Sequence, residues 1–393
     1  MRMAWLSAIL LPVLIYLLWL IHALYKNYVK ACTLNVPIII SPIAPNNPLW
    51  IFTHQYLKSY IKSSPFDITG FTGYIYYGWA YDDKYRTHEK LGPAFVVVNP
   101  STVELYIANG EAVDSIFTRA KDFPKPLALY KPVEVYGQNV ATVVGADWQR
   151  HRKMTAPSFN ERNSGLVWNE AIRNAKDMLK EWTSCNEEGT TSTINGTITL
   201  ALYVLTSVGF GVSYSFKPGS SSLSPGHTLT YRDALAGLTN NIIAVFIFPS
   251  NFFTLPYMPA KVRRIGTYLT EFKAYMTEML ARERELIDER EPGTGNLISS
   301  LVRASDQANE YALTEREILG NIFFYSLAGH ESTANTIAFA IHLLAVYPRY
   351  QDWYVRFRVS VPLLRPFIES LVQCGNQTKA INPKNSRIPA LYP

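Results

Sequence analysis

The N-terminal stretch of the chain is almost wholly apolar from residue 3 to residue 25. As a helix it spans roughly 35 Å at about 1.5 Å per residue, which is enough to cross a hydrocarbon core of about 30 Å. Lys26 and Lys30 follow it, and this placement of charge favours a cytosolic main body. The pattern therefore predicts a transmembrane anchor at residues 1–30. A secretory signal peptide, the alternative, has a shorter apolar region and a small-residue cleavage site, and neither is found here.

Closely spaced prolines follow the anchor: Pro37, Pro42, Pro45 and Pro48. Proline lacks the backbone N–H that a helix interior needs, and it biases the preceding residue towards extended conformations. We therefore expect no helix here and assign residues 31–55 to a stiff, proline-rich linker.

Strand signals beyond the linker are confined to two short apolar runs. Residues 95–98 and 103–107 flank a proline-containing turn and predict a strand pair. A helix-like stretch at residues 82–91 precedes them. Most of the remaining chain has helical period, since apolar residues advance by three and four at positions 262, 265, 269, 272, 276 and 279. The expected fold class is mainly α, with small β-sheet elements.

The longest predicted helix begins after Thr314, a favourable N-cap, and Glu317 three residues later completes a capping box. Pro348 marks its end, so the helix covers roughly 50 Å at the same rise per residue. Its apolar stretches, residues 322–327 and 337–346, predict burial on most sides.

The composition indicates a globular protein and gives no sign of nucleic-acid binding, a disulfide framework or a structural zinc site. With 393 residues, 48% of them hydrophobic and 17% charged, the chain can bury a large core. The net charge of +6 is spread without a long basic run, so it gives no indication of nucleic-acid binding. Cys32, Cys185 and Cys374 lie far apart and form no CxxC pair, which argues against a disulfide framework or a structural zinc site.

The middle of the long helix carries a polar interruption, Ala328-Gly329-His330-Glu331-Ser332-Thr333. A buried carboxylate beside hydroxyls is costly unless something is bound there, and glycine lets a ligand approach the backbone. A hydroxyl can also bond back to the carbonyl one turn earlier and bend the helix, so a satisfied polar kink is the alternative. A zinc site of the HExxH type is excluded, because Ala334 stands where the second histidine is required.

This run resembles the oxygen-binding helix of the cytochromes P450, whose pattern is Ala/Gly-Gly-x-acid-Thr/Ser. Glu331 takes the place of the acid and Ser332 that of the alcohol, with Thr333 adjacent. By the same resemblance, Ala328 and Gly329 lie beside the haem. The acid and the hydroxyl are then expected to hold water and pass protons to bound dioxygen in a dry pocket. Serine in place of the commoner threonine keeps the hydroxyl and drops the methyl group.

A second match is to the family's Trp-x-x-x-Arg helix. Trp148 and Arg152 stand four residues apart and therefore share one helix face. By resemblance both contact the propionates of one haem, the indole through its N–H and the guanidinium as a charged fork. The anchor, the linker and the strand pair also resemble membrane-bound fungal members, so the likeness covers roughly residues 1–354.

Two further family elements are expected after the long helix, a Glu-x-x-Arg pair and a Phe-x-x-Gly-x-x-x-Cys-x-Gly loop. Neither follows Glu331 in this sequence: Glu369 has no arginine three residues on, and Cys374 lacks the flanking residues of the loop. We therefore expect a C-terminally truncated cytochrome P450-like domain at residues 56–356 and a non-family tail at residues 357–393. The hypothesis is that the tail derives from a retained intron or a shifted reading frame. A genuinely shortened protein is the alternative.

The resemblance implies a haem-dependent monooxygenase that oxidises an apolar small-molecule substrate with dioxygen. Electrons are expected from NADPH-cytochrome P450 reductase, and the expected location is the endoplasmic reticulum membrane, with a single pass and a cytosolic main domain. The cysteine thiolate is what makes haem iron competent for this chemistry, so without that loop the chain as it stands is expected to be inactive. A non-enzymatic, membrane-tethered remnant or a gene-model fragment is the alternative. No protein ligand to a metal is assigned.

Overall fold

The structure, a computed structural model, describes residues 2–62, 70–76, 78–119, 121–184, 193–214, 216, 223–289, 296–303 and 311–359. The chain divides into two compact units, unit 1 at residues 1–124 and unit 2 at residues 125–389. Helices dominate the described residues, which form one small sheet in addition. The predicted fold class, mainly α with small β-sheet elements, is confirmed.

The described helices of unit 1 are α1 Arg2–Cys32, α2 Pro48–Lys62, α3 Trp79–Asp83, α4 Arg86–Leu91 and α5 Gly110–Thr118. Those of unit 2 are α6 Leu127–Tyr130, α7 Gly145–Thr155, α8 Glu161–Ser184, α9 Thr193–Phe210, α10 Tyr231–Asn240, α11 Ile242–Ile247, α12 Ala260–Glu289, α13 Leu297–Arg303, α14 Glu315–Val346 and α15 Pro348–Val359. Side-chain caps begin several of them. Asn109 accepts a hydrogen bond from the N–H of Ala112 at 2.8 Å at the start of α5, which satisfies a donor that the helix leaves free.

The sheet of unit 1 consists of β1 Ile38–Ile40, β2 Ala94–Val98 and β3 Val103–Ile107, in the order β1-β2-β3. β2 and β3 pair antiparallel with Val96 opposite Leu105, which confirms the predicted strand pair. Asn99 holds the turn between them, because its Oδ1 accepts from the N–H groups of Ser101 and Thr102, each at 2.9 Å.

The predicted linker contains more regular structure than its prolines indicated. β1 lies within it and pairs parallel with β2, with Ile39 opposite Val97. The expectation of no helix was wrong from Pro48 onward, where α2 begins. Proline is tolerated in the first turn, because its missing N–H would have no intrahelical partner there. The helix predicted at residues 82–91 is instead divided into α3 and α4 at Lys84, whose φ of 59° ends the first of them.

α1 covers the predicted anchor from Arg2 onward. Its described side chains from Leu11 to Tyr25 are largely apolar and exposed. The membrane role of α1 stays a prediction. In the described part of the chain, the helix found to be long and apolar enough to cross a membrane is α9, and 56% of it is buried within the protein. Such burial is typical of a core helix.

The core of unit 2 is formed mainly by α9, α10, α12, α13 and α14. Leu235 of α10, Phe272 and Met276 of α12 and Phe323 of α14 are fully buried in one cluster. Fully burying a side chain of this size contributes about 1.5–3 kcal/mol. α12 also confirms the predicted helical period, because every member of the apolar series except Val262 is buried in this core.

α14 begins as predicted. Thr314 is its N-cap and forms the capping box with Glu317, each side chain accepting from the other residue's backbone N–H. The helix ends at Val346, two residues before Pro348, as the sequence indicated.

Burial along α14 agrees with the prediction only in its first apolar stretch. Residues 322–327 are buried or half-buried, whereas residues 337–346 are mostly exposed, so the expectation of burial on most sides was wrong for the second stretch. In that stretch the helix packs on one side, where Ile337 and Ile341 contact a cluster from α8 and α9.

Candidate functional site

The N-terminal part of α14 lies in direct backbone contact with the segment that leads into α7. A Cβ added to Gly320 would collide with the carbonyl of Gly137, and a Cβ added to Gly137 would collide with the backbone of Arg316. The N–H of Val140 also donates to Oδ1 of Asn321 at 3.0 Å. The two segments therefore approach more closely than residues with side chains would allow.

A buried polar network joins α7 to α14 through Arg150, His151, Glu317 and Asn321. Arg150 donates to the two carboxylate oxygens of Glu317 at 2.5 and 3.1 Å. Nδ2 of Asn321 donates to Nδ1 of His151 at 2.9 Å, a pattern that assigns the ring proton to Nε2. That nitrogen donates towards Glu317 at 3.4 Å.

Burial and partners set the charges of this network. Burial raises the pKa of Glu317, but the hydrogen bonds from Arg150 and Thr314 outweigh it and bring the pKa to about 2. Burial lowers the pKa of His151, and Glu317 offsets this only in part, so the ring is neutral. The sequence indicated only a capping role for Glu317. Its α7 partners lie 166 and 167 positions away, and no local pattern connects residues so distant.

Trp148 and Arg152 lie together on α7, as their spacing predicts. The guanidinium of Arg152 is 5.4 Å from the centroid of the Trp148 ring, a cation–π contact. Trp148 is half-buried and Arg152 is exposed. Arg152 forms no ion pair within the part of the chain that the structure describes, so its charge is available to an anionic group.

The predicted oxygen-binding residues occupy exposed positions of α14: Ala328, Gly329, Glu331, Ser332 and Thr333. The expectation of a buried carboxylate beside hydroxyls was therefore wrong. The polar side chain that enters the core is His330, because positions 326, 330 and 334 form the buried face of the helix. Burial lowers the pKa of His330, which keeps it neutral.

Side chains bond back to carbonyls one turn earlier on both faces of α14. On the exposed face, Oγ of Ser332 donates to the carbonyl of Ala328 at 2.7 Å, a back-bond of the kind that the alternative of a satisfied polar kink involves. On the buried face, Ser326 donates to the carbonyl of Ile322 at 2.7 Å, and Nδ1 of His330 donates to that of Ser326. Such bonds compete with the helix ladder and make bending easier.

Two contacts connect this part of α14 to its neighbours. A Cβ added to Gly329 would lie 3.3 Å from Cδ2 of Leu205, so the glycine admits a side chain of α9 close to the helix. Tyr325 lies beside Thr155 and Arg152, which together offset part of the pKa rise that burial causes in this tyrosine. Arg152 thus lies near the turn of α14 before the motif, although the described residues show no hydrogen bond between the α7 pair and the motif itself.

The hydrogen-bond donors of Trp148 and Arg152 fit the propionate groups of a haem. A guanidinium and an indole on one helix face match the carboxylates of haem propionates. No described residue is assigned as the iron ligand: Cys32 is an exposed residue at the end of α1, while Cys185 and Cys374 lie outside the described residues. Within those residues, no group of His, Cys, Asp and Glu is placed to hold a metal ion.

The family model described as Cytochrome P450 matches residues 81–353. The chain therefore belongs to the cytochrome P450 family. It is 34% identical over 260 residues to "Cytochrome P450 monooxygenase 124" of Postia placenta, covering 65% of this chain and 50% of that protein. It is 32% identical over 291 residues to "Cytochrome P450 monooxygenase ORF6" of Penicillium roqueforti, covering 70% and 49%. The chain thus spans about half the length of the curated relatives it matches.

Solved structures of cytochromes P450 share the fold of this chain. A crystal structure of a cytochrome P450 superposes with a TM-score of 0.53 at 16% identity, covering 72% of this chain and 59% of that one. A zebrafish cytochrome P450, solved with abiraterone, superposes with a TM-score of 0.51 at 15% identity, covering 68% and 59%. At such identities the likeness shows the fold, and it agrees with the family indicated by the helix motifs.

Proposed function

We propose that this chain acts as part of a cytochrome P450 monooxygenase that inserts one oxygen atom of dioxygen into an apolar organic substrate. The observation that carries the proposal is the pairing of two motifs in unit 2. α14 presents Glu331 and Ser332 at the family's acid and alcohol positions, and α7 presents Trp148 beside Arg152. The names of the fungal relatives, which are monooxygenases, support the same reaction class.

In the proposed enzyme, haem supplies the redox chemistry that activates dioxygen. Trp148 and Arg152 hold its propionates, the first through the indole N–H and the second through a charged, forked guanidinium. By the family resemblance, Ala328 and Gly329 lie beside the haem, and Leu205 of α9 lies against Gly329 in the structure.

Proton handling falls to the polar part of the α14 motif. The Ser332 hydroxyl donates a hydrogen bond to the Ala328 carbonyl at 2.7 Å, so the lone pairs of its oxygen can accept a hydrogen bond from water. Glu331, on the neighbouring position, exchanges protons with that water, and Thr333 adds a second hydroxyl. The proposed substrate is an apolar small molecule, and this substrate class is taken from the family alone.

Electrons come from NADPH-cytochrome P450 reductase in this proposal, and the protein is held in the endoplasmic reticulum membrane with its main domain in the cytosol. The exposed apolar side chains of α1 support the anchor, because such a surface is costly in water and favourable in lipid. Lys26 and Lys30 after the apolar stretch support the orientation.

A second candidate is a non-enzymatic, membrane-tethered remnant, or a gene-model fragment of a complete enzyme. The sequence observation that favours it is the absence, after Glu331, of the Glu-x-x-Arg pair and of the cysteine loop. Without the thiolate, bound haem would not carry out the monooxygenase reaction.

The difference spectrum of the reduced, CO-treated chain separates the two candidates. The chain is expressed whole, solubilised in detergent and supplied with haem. We expect no thiolate-haem band from these residues. A clear band would refute the remnant and make the chain itself a competent haem-thiolate protein.

Sequencing the transcript across codons 345–393 then decides what the gene encodes. A message that leaves this reading frame near Trp353 and continues into a Glu-x-x-Arg pair and a cysteine loop supports a complete monooxygenase. A message that ends after Pro393 supports the remnant.

A further inference from the structure

The segment that leads into α10 is fastened to one face of α12 through His227. Nδ1 of this histidine lies 2.7 Å from a carboxylate oxygen of Glu271, and Nε2 lies 3.0 Å from one of Glu278. The next residue, Thr228, donates its backbone N–H to Glu271 at 3.0 Å and its hydroxyl to the same oxygen at 2.5 Å. Both ring nitrogens are therefore engaged by carboxylates of one helix.

Tyr275 completes this face of α12. Its ring stacks on the His227 imidazole with centroids 3.7 Å apart and an interplanar angle of 9°. Its hydroxyl donates to the carbonyl of Leu229 at 2.8 Å. Positions 271, 275 and 278 are spaced by four and three residues, so their side chains share one face of the helix. The His227 side chain is only 3% exposed.

Only a protonated imidazole satisfies both carboxylates, since a neutral ring has a single N–H to donate. Burial lowers the pKa of His227, but the hydrogen bonds to Glu271 and Glu278 outweigh it and the pKa is raised. Burial raises the pKa of Glu271, yet its bonds from Thr228 and His227 lower it overall. The carboxylate and the imidazolium thus stabilise each other.

Other charged groups near this face do not replace the imidazolium. Arg282 of α12 and Glu278 both act on Tyr214, and Arg232 of α10 lines a crevice with Tyr214 and Tyr275. Among the described residues, neither arginine forms an ion pair with the two carboxylates that His227 contacts. Histidine is therefore the cation that neutralises them.

We propose that His227 is a pH-sensitive latch that holds the entry to α10 against α12 when protonated and releases that entry when it loses its proton. Tyr231 at the start of α10, the helix that follows the latch, has its hydroxyl 3.3 Å from that of Ser326 on α14. The latch does not depend on haem binding or on the proposed reaction.

The sign of the pH effect follows from the protonated state that folding favours. The contribution of the latch is complete below the ordinary histidine value of 6.5 and is lost as pH rises through the raised value. We expect hydrogen exchange of the amides at residues 227–230, corrected for intrinsic rates, to become about tenfold faster between about pH 5 and about pH 8. The measurement uses the whole chain in detergent.

Two variants separate titration of His227 from a merely structural contact. His227→Gln has no titrating group, so we expect rapid exchange at every pH. Glu278→Gln offers an amide donor to a neutral imidazole, so we expect slow exchange that persists above the wild-type transition. His88→Gln in unit 1 is the control. The His88 ring contacts the Gly92 carbonyl and the rings of Tyr85 and Phe95 but no carboxylate that is described, so this variant should leave the transition unchanged.

An NMR titration of the His227 ring in the unaltered chain tests the same latch without any substitution. Titration above the ordinary value, coincident with the exchange transition, is the expected result. A ring that titrates at or below that value, or a transition that survives in His227→Gln, overturns the proposal.

Discussion

From Glu315 to Leu327, α14 lies largely within the core of unit 2, whereas from Ala328 to Val346 most of its side chains are exposed. The two parts have similar apolar content, and sequence alone predicts burial for both. What differs is their neighbours. The first part meets the segment before α7 backbone to backbone and is joined to α7 by a polar network, while the second packs along one side only.

The two parts of α14 therefore have different structural roles. The buried part fixes the position of α14 against α7, through Glu317 and its partners. The exposed part presents the acid and hydroxyl side chains and packs against α8 and α9 along one side only. The buried half is therefore held on several sides, and the exposed half carries the residues that the proposed function uses.

The largest predicted difference in stability between the two parts of α14 comes from replacing one phenylalanine in each part by alanine. Phe323 is fully buried in the core, whereas Phe339 is 41% exposed. We expect Phe323→Ala to lower the free energy of unfolding by about 4 kcal/mol, because it removes buried contacts and leaves a cavity. Phe339→Ala should cost less than about 1 kcal/mol. Urea unfolding measures both, and equal losses would show that the exposed part is buried in solution.

The α7–α14 network gives the next largest effect. Glu317→Gln keeps the shape of the side chain but leaves the Arg150 charge poorly compensated, and we expect a loss of about 2–3 kcal/mol. Glu315→Gln is the control, because Glu315 pairs with Arg284 at 3.1 Å on the surface and should cost less than about 0.5 kcal/mol. Similar losses for the two variants in urea unfolding would contradict a stabilising role for the network.

The same network predicts an acid dependence. Folding lowers the pKa of Glu317 from 4.5 to about 2, so its contribution is fully present above the higher value and is lost as pH falls towards the lower one. The stability difference between the unaltered chain and Glu317→Gln should therefore shrink as pH falls through this window. Unfolding curves at several pH values measure it, and a difference that stays constant would argue against an ionised Glu317.

Alanine substitutions at two glycines of α14, one in the buried part and one in the exposed part, test how closely the backbone is packed in each. We expect Gly320→Ala to destabilise the protein by about 2 kcal/mol, because the added methyl collides with the Gly137 carbonyl. Gly329→Ala meets only the flexible end of Leu205 and gains helix propensity, so its effect should lie within about 0.5 kcal/mol of zero. Thermal unfolding of the pair measures the contrast. A tolerated Gly320→Ala would mean that the two backbones do not touch.

Local signals in the sequence predicted much of this helix. The capping box at Thr314 and the stop before Pro348 both depend on residues a few positions apart, and both are present. Burial of Glu331 was predicted wrongly, because periodicity shows which residues share a face but not what lies opposite that face. The Glu317 network was missed for a related reason, since its α7 partners are brought close only by tertiary packing.

The smallest predicted effect compares two serines on opposite faces of α14. Ser326→Ala leaves the buried Tyr231 hydroxyl without its partner at 3.3 Å, and we expect a loss of about 1 kcal/mol. Ser332→Ala removes only an exposed back-bond and gains helix propensity, so we expect a change within about 0.5 kcal/mol. Because Ser332 contributes so little to stability, a loss of turnover in a haem-loaded, complete enzyme carrying Ser332→Ala would report on proton handling and not on folding. A loss of stability in Ser332→Ala that matches the loss in Ser326→Ala would place both serines in the core and remove the distinction between the two faces.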